Sequence, residues 1–273
     1  MNFVSRLEKA ITERKSLVCL GLDPDPALMP KVSVAEFNKA IIEATSDLVC
    51  AYKPNLAFYE SLGIDGLVAL QKTVEYIPRD VPVIGDAKRG DIGNTAKQYA
   101  KAMFETFGFD AVTVNPYLGH DSVEPFLSYR EKGVFVLCRT SNTGAEDFQS
   151  LLCSLPGKVE GKPLFAIVAI RAKEWNQHGN VGLVAGATYP EELKQIRALC
   201  PDMPLLIPGI GAQEGDLALA LRYGIDAKGK RTIFASSRQI LYASKGRDFA
   251  QAARQAADKL RTTINSLLKT AQP

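Results

Sequence analysis

Short apolar segments rich in β-branched residues recur along the chain and predict eight strands. They cover residues 16–22, 48–52, 81–84, 111–114, 133–137, 181–184, 204–207 and 232–235. The intervening stretches repeat their apolar residues at about 3.6 positions, which is typical of amphipathic helices. Two such repeats are Val34, Phe37, Ile41 and Leu48, and then Leu62, Leu67, Leu70 and Val74.

Helices are also predicted at both ends of the chain. Phe3, Leu7 and Ile11 recur at helical spacing and predict a helix over residues 2–14. The tail 247–269 predicts a last helix with one apolar stripe, formed by Phe249, Ala253, Ala256, Leu260, Ile264 and Leu267. Thr188 and Glu191 have capping-box spacing with Pro190 between them, which predicts a helix start.

Strand and helix alternate throughout, and eight βα units in about 250 residues are typical of a closed (β/α)₈ barrel. The alternative is a doubly wound open sheet, which usually carries a glycine-rich nucleotide turn after its first strand. Here the first strand ends Gly21-Leu22-Asp23-Pro24-Asp25 instead. Since no break in composition marks a boundary, we expect one domain over residues 1–273. The stretch 141–161, after the fifth strand, is predicted to be a mobile loop.

Composition excludes several classes of protein. The 33 basic and 30 acidic residues leave a formal net charge of +3, too small and too scattered to indicate a nucleic-acid partner. Eighteen consecutive apolar residues occur nowhere, and the first 15 residues lack an export signal, so a membrane partner is not expected. Five cysteines without a Cys-x-x-Cys pair indicate reduced thiols and a cytoplasmic protein.

Neither a histidine-ligated metal site nor a nucleophile activated by histidine is expected. His120 and His178 are the two histidines, and neither has a second histidine or a carboxylate at metal-ligand spacing. A zinc site or a Ser-His-Asp relay therefore lacks its residues.

The segment Asp86-Ala87-Lys88-Arg89-Gly90-Asp91 places charge at the end of the third apolar run. Alternation along a strand puts Asp86 and Lys88 on one face, with Asp91 in the turn beyond. Lysine and aspartate are almost never fully buried unless they are paired. A chance occurrence of Asp-x-Lys-x-x-Asp is the alternative, but the apolar context favours a functional cluster.

Other polar residues follow other predicted strands, at the end where barrel enzymes keep their catalytic groups. They are Asp23, Lys53, Asn115 and Ser141. Asp23 before Pro24 and Asn115 before Pro116 are also good turn formers, so a purely structural role is the alternative for both. If all of these residues face one mouth of the barrel, they form a pocket.

Two segments indicate phosphate binding. The seventh run continues into Pro208-Gly209-Ile210-Gly211-Ala212-Gln213, whose glycines would let backbone N–H groups approach an anion. The eighth run ends Ser236-Ser237-Arg238, whose guanidinium suits bidentate phosphate binding. Tight turns and a surface charge are the alternatives. Loops after strands seven and eight are a frequent phosphate site of such barrels, which favours phosphate.

These segments together resemble the orotidine 5'-phosphate decarboxylase family. The resemblance rests on Asp86-x-Lys88-x-x-Asp91 after a third strand, Lys53 after a second, Asp23 after a first, and the two phosphate loops. The segments Leu20-Gly21-Leu22-Asp23-Pro24 and Thr113-Val114-Asn115-Pro116-Tyr117 resemble the longer bacterial branch of that family. One departure is Ser237-Arg238, where many relatives have Gly-Arg.

The resemblance implies a lyase that converts orotidine 5'-phosphate to uridine 5'-phosphate and CO₂, the last step of pyrimidine nucleotide synthesis, without metal or organic cofactor. It implies that Lys88 protonates C6 and that Asp86, Lys53 and Asp91 complete the catalytic set. Substrate would be held by Asp23 and Lys53 at the ribose, Ser141 at the pyrimidine, and Gly211, Gln213 and Arg238 at the phosphate, with Asn115 lining the same site.

The resemblance also implies a homodimer, in which Asp91 and Thr95 reach the site of the neighbouring subunit. Two alternatives stay open. A metal-dependent decarboxylase or aldolase of the same superfamily, acting on sugar phosphates, shares the Asp-x-Lys-x-x-Asp string. A barrel that binds a nucleotide phosphate without catalysis would share the phosphate loops but would have no need of Lys88.

Overall fold

A parallel eight-stranded sheet forms the centre of the protein, whose computed structural model describes residues 1–154, 161–210 and 214–271. The strands are β1 Val18–Leu22, β2 Ala51–Pro54, β3 Ile84–Arg89, β4 Ala111–Val114, β5 Gly133–Arg139, β6 Val181–Ala185, β7 Leu205–Pro208 and β8 Thr232–Ser236. Their order in the sheet is β2-β1-β8-β7-β6-β5-β4-β3. Two parallel bridges, Tyr52 with Val83 and Asn55 with Asp86, bring β2 against β3. The predicted (β/α)₈ barrel is thereby confirmed, and the open sheet is wrong.

Helices alternate with the strands around the barrel. Their bounds are α1 Phe3–Arg14, α2 Val34–Thr45, α3 Leu56–Glu60, α4 Gly63–Tyr76, α5 Gly93–Lys101, α6 His120–Leu127, α7 Leu164–Trp175, α8 Pro190–Leu199, α9 Glu214–Gly224, α10 Arg238–Leu241 and α11 Phe249–Ala271. A π-helical turn, Ala102–Thr106, continues α5, and a 3₁₀ turn, Thr143–Asp147, follows β5. The two-residue strands Leu152–Cys153 and Lys162–Pro163 pair antiparallel.

Burial on both faces explains why the strands could be recognised as apolar runs. Every residue of β1, β2, β4, β6 and β8 is buried. Strands of a parallel sheet covered by helices are apolar on both sides, so their sequences are continuous apolar runs rather than alternating ones.

Helix α1 packs against the barrel strands. Asn2 caps it by accepting a hydrogen bond from the backbone N–H of Ser5 at 3.0 Å. The Phe3 ring stands edge-on to the Phe135 ring of β5, with 5.7 Å between centroids. Phe3, Leu7 and Ile11 are all buried, in agreement with their helical spacing.

Three local predictions differ from the structure. Helix α8 begins at Pro190 as expected, but no capping box forms, because the Thr188 hydroxyl donates to the Ser141 carbonyl at 3.3 Å instead. On α4, Leu67 of the predicted repeat is exposed, whereas Leu70 is buried together with Gly66 and Ala69, so the buried face includes only part of the repeat. Strand β3 begins at Ile84 and continues through the charged residues to Arg89.

Candidate active site

Lys88 adopts an unusual backbone conformation within β3. Its φ is 49°, in the left-handed region that few residues other than glycine adopt. The register between β3 and β4 shifts between Gly85 and Arg89, so the strand is irregular where Lys88 lies. Backbone strain of this kind persists where surrounding contacts hold it, and it clusters at functional sites. The irregularity determines where the Lys88 side chain points.

The Asp86 carboxylate joins two lysines. Lys53 Nζ from β2 donates to Oδ2 at 2.8 Å, and Lys88 Nζ donates to Oδ1 at 2.5 Å. The side chains of Lys53 and Asp86 are 8% and 11% exposed, whereas that of Lys88 is 48% exposed. Lys53 and Asp86 therefore form a buried pair, and Lys88 places its ammonium at the open side of that pair.

Opposite charges keep the buried groups ionised. Burial alone would raise the pKa of Asp86, but Lys53 and Lys88 hold it well below its usual range. Burial likewise opposes the charge of Lys53, but Asp86 and Asp23 raise its pKa above the usual value. A buried lysine without such partners would lose its proton instead. At neutral pH the site thus contains a carboxylate between two ammonium groups.

Thr113 of β4 fixes the geometry of this cluster. Its hydroxyl accepts a hydrogen bond from the Lys88 backbone N–H at 3.0 Å and donates one to Asp86 Oδ1, also at 3.0 Å. One side chain therefore satisfies the backbone donor of the strained residue and orients the carboxylate. Thr113 is buried, so its hydroxyl replaces water at both positions.

Asp23 follows β1 and faces the neighbouring strand end. Its Oδ2 accepts a hydrogen bond from the Ser237 hydroxyl. Its Oδ1 is buried and has no hydrogen-bond partner within the described residues. Gly21 makes this approach possible, because a Cβ there would lie 2.4 Å from Ser237 Oγ. The free lone pairs of Asp23 suit a donor from a ligand, such as a hydroxyl group.

Two adjoining cavities open at the C-terminal ends of the strands. One has a volume of about 340 Å³ and contacts Asp23, Asn55, Gly209, Ser237 and Arg238 among others. The other, of about 350 Å³, contacts Lys88, Thr113, Thr140, Ser141 and Asn142 among others. Lys53, Asp86 and Pro208 line both. The charged cluster therefore lies between a compartment that contains an arginine and one lined by Lys88, by the loop after β5 and by apolar strand residues such as Leu137 and Leu206.

Ser141 lies where three loops meet. The backbone of Gly209 has a φ of 84°, and a Cβ there would approach Ser141 Cβ to 3.1 Å. A Cβ on Gly186, after β6, would lie closer still, 2.9 Å from Ser141 Cα. These glycines let the loops after β5, β6 and β7 pack together, with Ser141 on the cavity wall.

Several residues predicted for the site do not join the cluster within this chain. Asp91 is half-buried and its Oδ1 accepts from the Ile92 backbone N–H at 2.8 Å. Thr95 is exposed on α5, and exposed Asn115 accepts from the Tyr117 backbone N–H at 3.0 Å. Gly211 and Gln213 lie outside the described residues. The structure brings together Asp23, Lys53, Asp86, Lys88, Ser141 and Arg238.

Several residues that line the site were missed in the sequence, among them Thr113, Asn55, Thr140 and Asn142. Thr113 was treated as part of a strand, because threonine is common in strands and gives no separate signal. Asn55 lines the first cavity and caps α3 by accepting from the Ala57 backbone N–H. Its position two residues after Lys53, on the same side of a strand end, was the signal that could have identified it.

Neither a membrane-spanning helix nor a cluster of metal-ligating side chains occurs in the described part of the chain. No helix there is long and apolar enough to cross a membrane. Within the same residues, three or more His, Cys, Asp or Glu side chains nowhere converge in a way that could hold a metal ion.

Comparison with known proteins identifies close relatives. The model of the orotidine 5'-phosphate decarboxylase / HUMPS family matches residues 16–256. A protein of Dehalococcoides mccartyi named orotidine 5'-phosphate decarboxylase is 52% identical over 270 residues, 98% of this chain and 99% of that one. A protein of Thermomicrobium roseum with the same name is 52% identical over 276 residues, 98% of this chain and 97% of that one. The structure of Leishmania donovani OMP decarboxylase superimposes with a TM-score of 0.84 at 38% identity, covering 98% of both chains.

Proposed function

Because the chain belongs to the orotidine 5'-phosphate decarboxylase / HUMPS family, we propose that it converts orotidine 5'-phosphate to uridine 5'-phosphate and CO₂. Its full-length relatives are carboxy-lyases by name. The observation that carries the proposal is the Asp86 carboxylate between Lys53 and Lys88, at 2.8 and 2.5 Å. This arrangement holds an ammonium group rigidly at the cavity in which a pyrimidine would react.

The chemical difficulty of this reaction is the carbanion at C6 of the pyrimidine. When the bond between C6 and the carboxylate breaks, the electron pair remains on C6, in an orbital that the ring cannot delocalise. Lys88 Nζ stabilises that charge as it develops and then transfers a proton to C6, while CO₂ leaves. An interaction that forms only as charge appears lowers the barrier without tightening substrate binding. Lys88 regains its proton from solvent.

Asp86 and Lys53 prepare this step. The Asp86 carboxylate lies beside the position of the substrate carboxylate, so repulsion between the two anions favours loss of CO₂. Lys53, which is buried, keeps Asp86 ionised. Asp23 and Lys53 bind ribose hydroxyls in this proposal, and the unpartnered, buried Oδ1 of Asp23 supports it. No cofactor is required, because Lys88 supplies both the charge and the proton.

The phosphate is assigned to the compartment of Arg238. Arg238 lies on the wall of the first cavity with Gly209 and Ser237, at the ends of β7 and β8. A guanidinium binds phosphate in a bidentate manner, and barrels of this class often bind phosphate there. Gln213 and Gly211 are also predicted to bind the phosphate. With phosphate at this end and C6 at Lys88, the pyrimidine occupies the second cavity beside Ser141.

The loop 141–161 is proposed to close over the bound substrate and to exclude water. Its described part carries exposed apolar side chains, among them Phe148 and Leu152 at 63% and 76% exposure. Such groups are suited to covering a ligand rather than to remaining in solvent.

A homodimer with shared sites completes the proposal. The loops after β3 and β4 start side by side, because the N–H of Asn115, the first residue after β4, donates to the carbonyl of Arg89, the last residue of β3, at 2.8 Å. Beside Asp91 and Asn115 these loops expose Ile92 and Tyr117, at 56% and 82%. A second subunit packed on this apolar surface would bring Asp91 and Thr95 to the neighbouring site. Oligomers commonly form through such surfaces.

The test is the ultraviolet spectral change of orotidine 5'-phosphate on mixing with the protein in buffer that contains excess EDTA. We expect full activity. Activity that needs an added divalent cation, or acts on sugar phosphates instead, would favour the metal-dependent alternative. Binding of uridine 5'-phosphate without release of CO₂ would favour the non-catalytic barrel.

A further inference from the structure

The loop after β5 contains a chain of hydrogen bonds with a fixed direction. It runs from Gln149 through Thr140 to Asn142, and Thr140 and Asn142 line the second cavity. Gln149 itself does not line that cavity. The direction of the chain determines which end of the Asn142 amide is available to a ligand.

The orientation of the Gln149 amide follows from its partners. Its Oε1 lies 2.8 Å from the Thr140 backbone nitrogen and 3.5 Å from Arg139 Nη1. A backbone N–H and a guanidinium can only donate, so the atom that faces both must be the amide oxygen. The amide nitrogen, Nε2, is therefore the atom that lies 2.9 Å from Thr140 Oγ1.

The next two bonds follow in the same way. An amide nitrogen can only donate, so Thr140 Oγ1 accepts from Gln149 and has its single hydrogen free for another partner. That partner is Asn142 Oδ1, at 2.7 Å. Because the amide oxygen of Asn142 is occupied, its Nδ2 is left with two N–H donors and has no hydrogen bond to any described residue.

Arg139 holds the beginning of this chain in place. It is 1% exposed, its Nε donates to Glu192, and its guanidinium lies 3.7 Å from the centre of the Tyr189 ring. A buried guanidinium with these contacts has little freedom to rotate, and it presents only N–H donors to Gln149. The polarity of the Gln149 amide is thus determined by a rigid neighbour.

We infer that Asn142 donates a hydrogen bond from Nδ2 to a ring carbonyl oxygen of the bound pyrimidine, and that Gln149 is the positioning residue that sets this polarity. The inference rests on the proposed function, which places the pyrimidine in the second cavity. It adds a base-binding residue and predicts that a glutamine outside the cavity affects recognition of the base. Uracil presents carbonyl oxygens at C2 and C4, and cytosine presents one at C2 alone.

The substitution Gln149→Glu reverses the chain while keeping its shape. One carboxylate oxygen still accepts from Thr140 N–H beside Arg139, which accommodates the new charge. The other oxygen can only accept, so the Thr140 hydroxyl turns to donate to it. Asn142 must then donate Nδ2 to Thr140, and it presents Oδ1 to the cavity. In the complex, Asn142 Oδ1 would then face the ring carbonyl oxygen of the pyrimidine, and neither atom can donate a hydrogen bond.

The experiment compares the affinities of uridine 5'-phosphate and ribose 5-phosphate by calorimetry. In Gln149→Glu we expect uridine 5'-phosphate to bind roughly tenfold or more weakly, since a ligand acceptor is left unpaired. Affinity for ribose 5-phosphate should be unchanged, because that ligand lacks the base. A role in folding alone would weaken both ligands together.

A second variant tests the same hydrogen bond at Asn142, the exposed end of the hydrogen-bond chain, where a substitution does not endanger folding. Asn142→Asp presents only oxygens and should cause a similar, base-dependent loss. The double variant should lose no more than either single variant, because both act on one hydrogen bond. Gln177→Glu, on an exposed residue beyond α7, adds the same charge and should change neither affinity.

Cytidine 5'-phosphate identifies the carbonyl. If its affinity rises or does not fall while that of uridine 5'-phosphate falls, the contact is at C4, because the 4-amino group of cytosine can donate to the oxygen that the variants present. If both affinities fall equally, the contact is at C2; either result supports the inference. Unchanged affinity for uridine 5'-phosphate in both variants, with decarboxylation by the wild type intact, overturns the inference alone. A wild type that neither decarboxylates orotidine 5'-phosphate nor binds uridine 5'-phosphate overturns the proposed function and the inference with it.

Discussion

The ammonium nitrogen of Lys88 lies 2.5 Å from Oδ1 of Asp86, two residues earlier in the same strand. Residues at this separation in a regular strand stand about 6.6 Å apart along it, so the contact needs both side chains to turn toward each other. Lys88 achieves this from a backbone φ of 49°. The position of the ammonium group is therefore set before substrate arrives.

Lys88→Ala should abolish turnover and leave binding of uridine 5'-phosphate within a few-fold of wild type. Loss of the proposed proton donor, and of the charge proposed to stabilise the carbanion, should lower kcat by at least about 10⁴-fold. Stopped-flow absorbance measures turnover, and calorimetry measures binding. Lys228→Ala, at an exposed lysine before β8, is the control and should be fully active. Substantial activity in Lys88→Ala would remove the assigned donor.

The sequence predicted the barrel well for a physical reason. Strands covered on both sides must be apolar throughout; β4 has its predicted bounds, and β1, β6 and β8 lie within two residues of theirs. The prediction was poorest for β3, because Asp86 and Lys88 interrupt its apolar pattern although both belong to the strand. On α4 the predicted repeat was right for Leu70, which is buried, and wrong for Leu67, which is exposed, because Gly66 and Ala69 share the buried face with Leu70.

The site was predictable in its charged residues and not in its geometry. Charge at a strand end is visible in a sequence, which is why Asp86 and Lys88 could be chosen. The left-handed backbone of Lys88 was not predictable, because it depends on the hydroxyl of Thr113 from the next strand. That contact joins residues 25 positions apart, and neither has a sequence signal for it.

Arg238→Ala should weaken binding of the phosphate group. We expect KM for orotidine 5'-phosphate to rise roughly 10- to 100-fold, which is the range for losing a charge-assisted hydrogen bond. Turnover of orotidine, which lacks the phosphate, should change little, so comparing the two substrates isolates the effect. Arg222→Ala, on the exposed side of α9, is the matched control. An equal loss for both substrates would contradict the assignment.

A mixed dimer tests the shared site. Lys88→Ala and Asp91→Ala chains, each inactive alone, should recover about a quarter of wild-type activity when mixed in equal amounts. Half of the dimers are then mixed, and one of the two sites in each has both residues. The chains carry different affinity tags, so the mixed species can be purified and assayed. If purified mixed dimers are inactive, Asp91 does not act in the neighbouring site.

The low pKa of Asp86 predicts a specific pH dependence of stability. A carboxyl whose pKa is lowered in the folded state stabilises it above the ordinary value near 3.9, and this contribution is lost as pH falls below that value. At pH 6, Asp86→Asn should cost about 3 kcal/mol, because Lys53 is left buried without its partner. The difference between wild type and variant should shrink as the pH decreases from about 5 toward 2.5.

Urea unfolding at each pH measures this difference. Asp47 and Asp80 also have lowered pKa values, owing mainly to hydrogen bonds from Arg254 and Arg14. Their contributions to the pH dependence of stability are the same in wild type and Asp86→Asn, so they cancel in the difference. Asp47→Asn is the control, since its ion pair with Arg254 is largely exposed and should contribute little. If the difference in free energy of unfolding between wild type and Asp86→Asn does not depend on pH, the lysine partners do not lower the pKa of Asp86.

Thr113→Val should disturb the position of the Lys88 ammonium group while keeping the group itself. Valine has nearly the same shape as threonine, but it can neither accept from the Lys88 backbone N–H nor donate to Asp86. Without those two contacts, the irregular strand is free to relax and the ammonium group moves away from C6. Since a displacement of about 1 Å costs roughly 100-fold in rate, we expect kcat to fall by that order with KM almost unchanged. Thr113→Ser keeps the hydroxyl and should stay within a few-fold of wild type, whereas equal losses in both variants would show that Thr113 acts through packing alone.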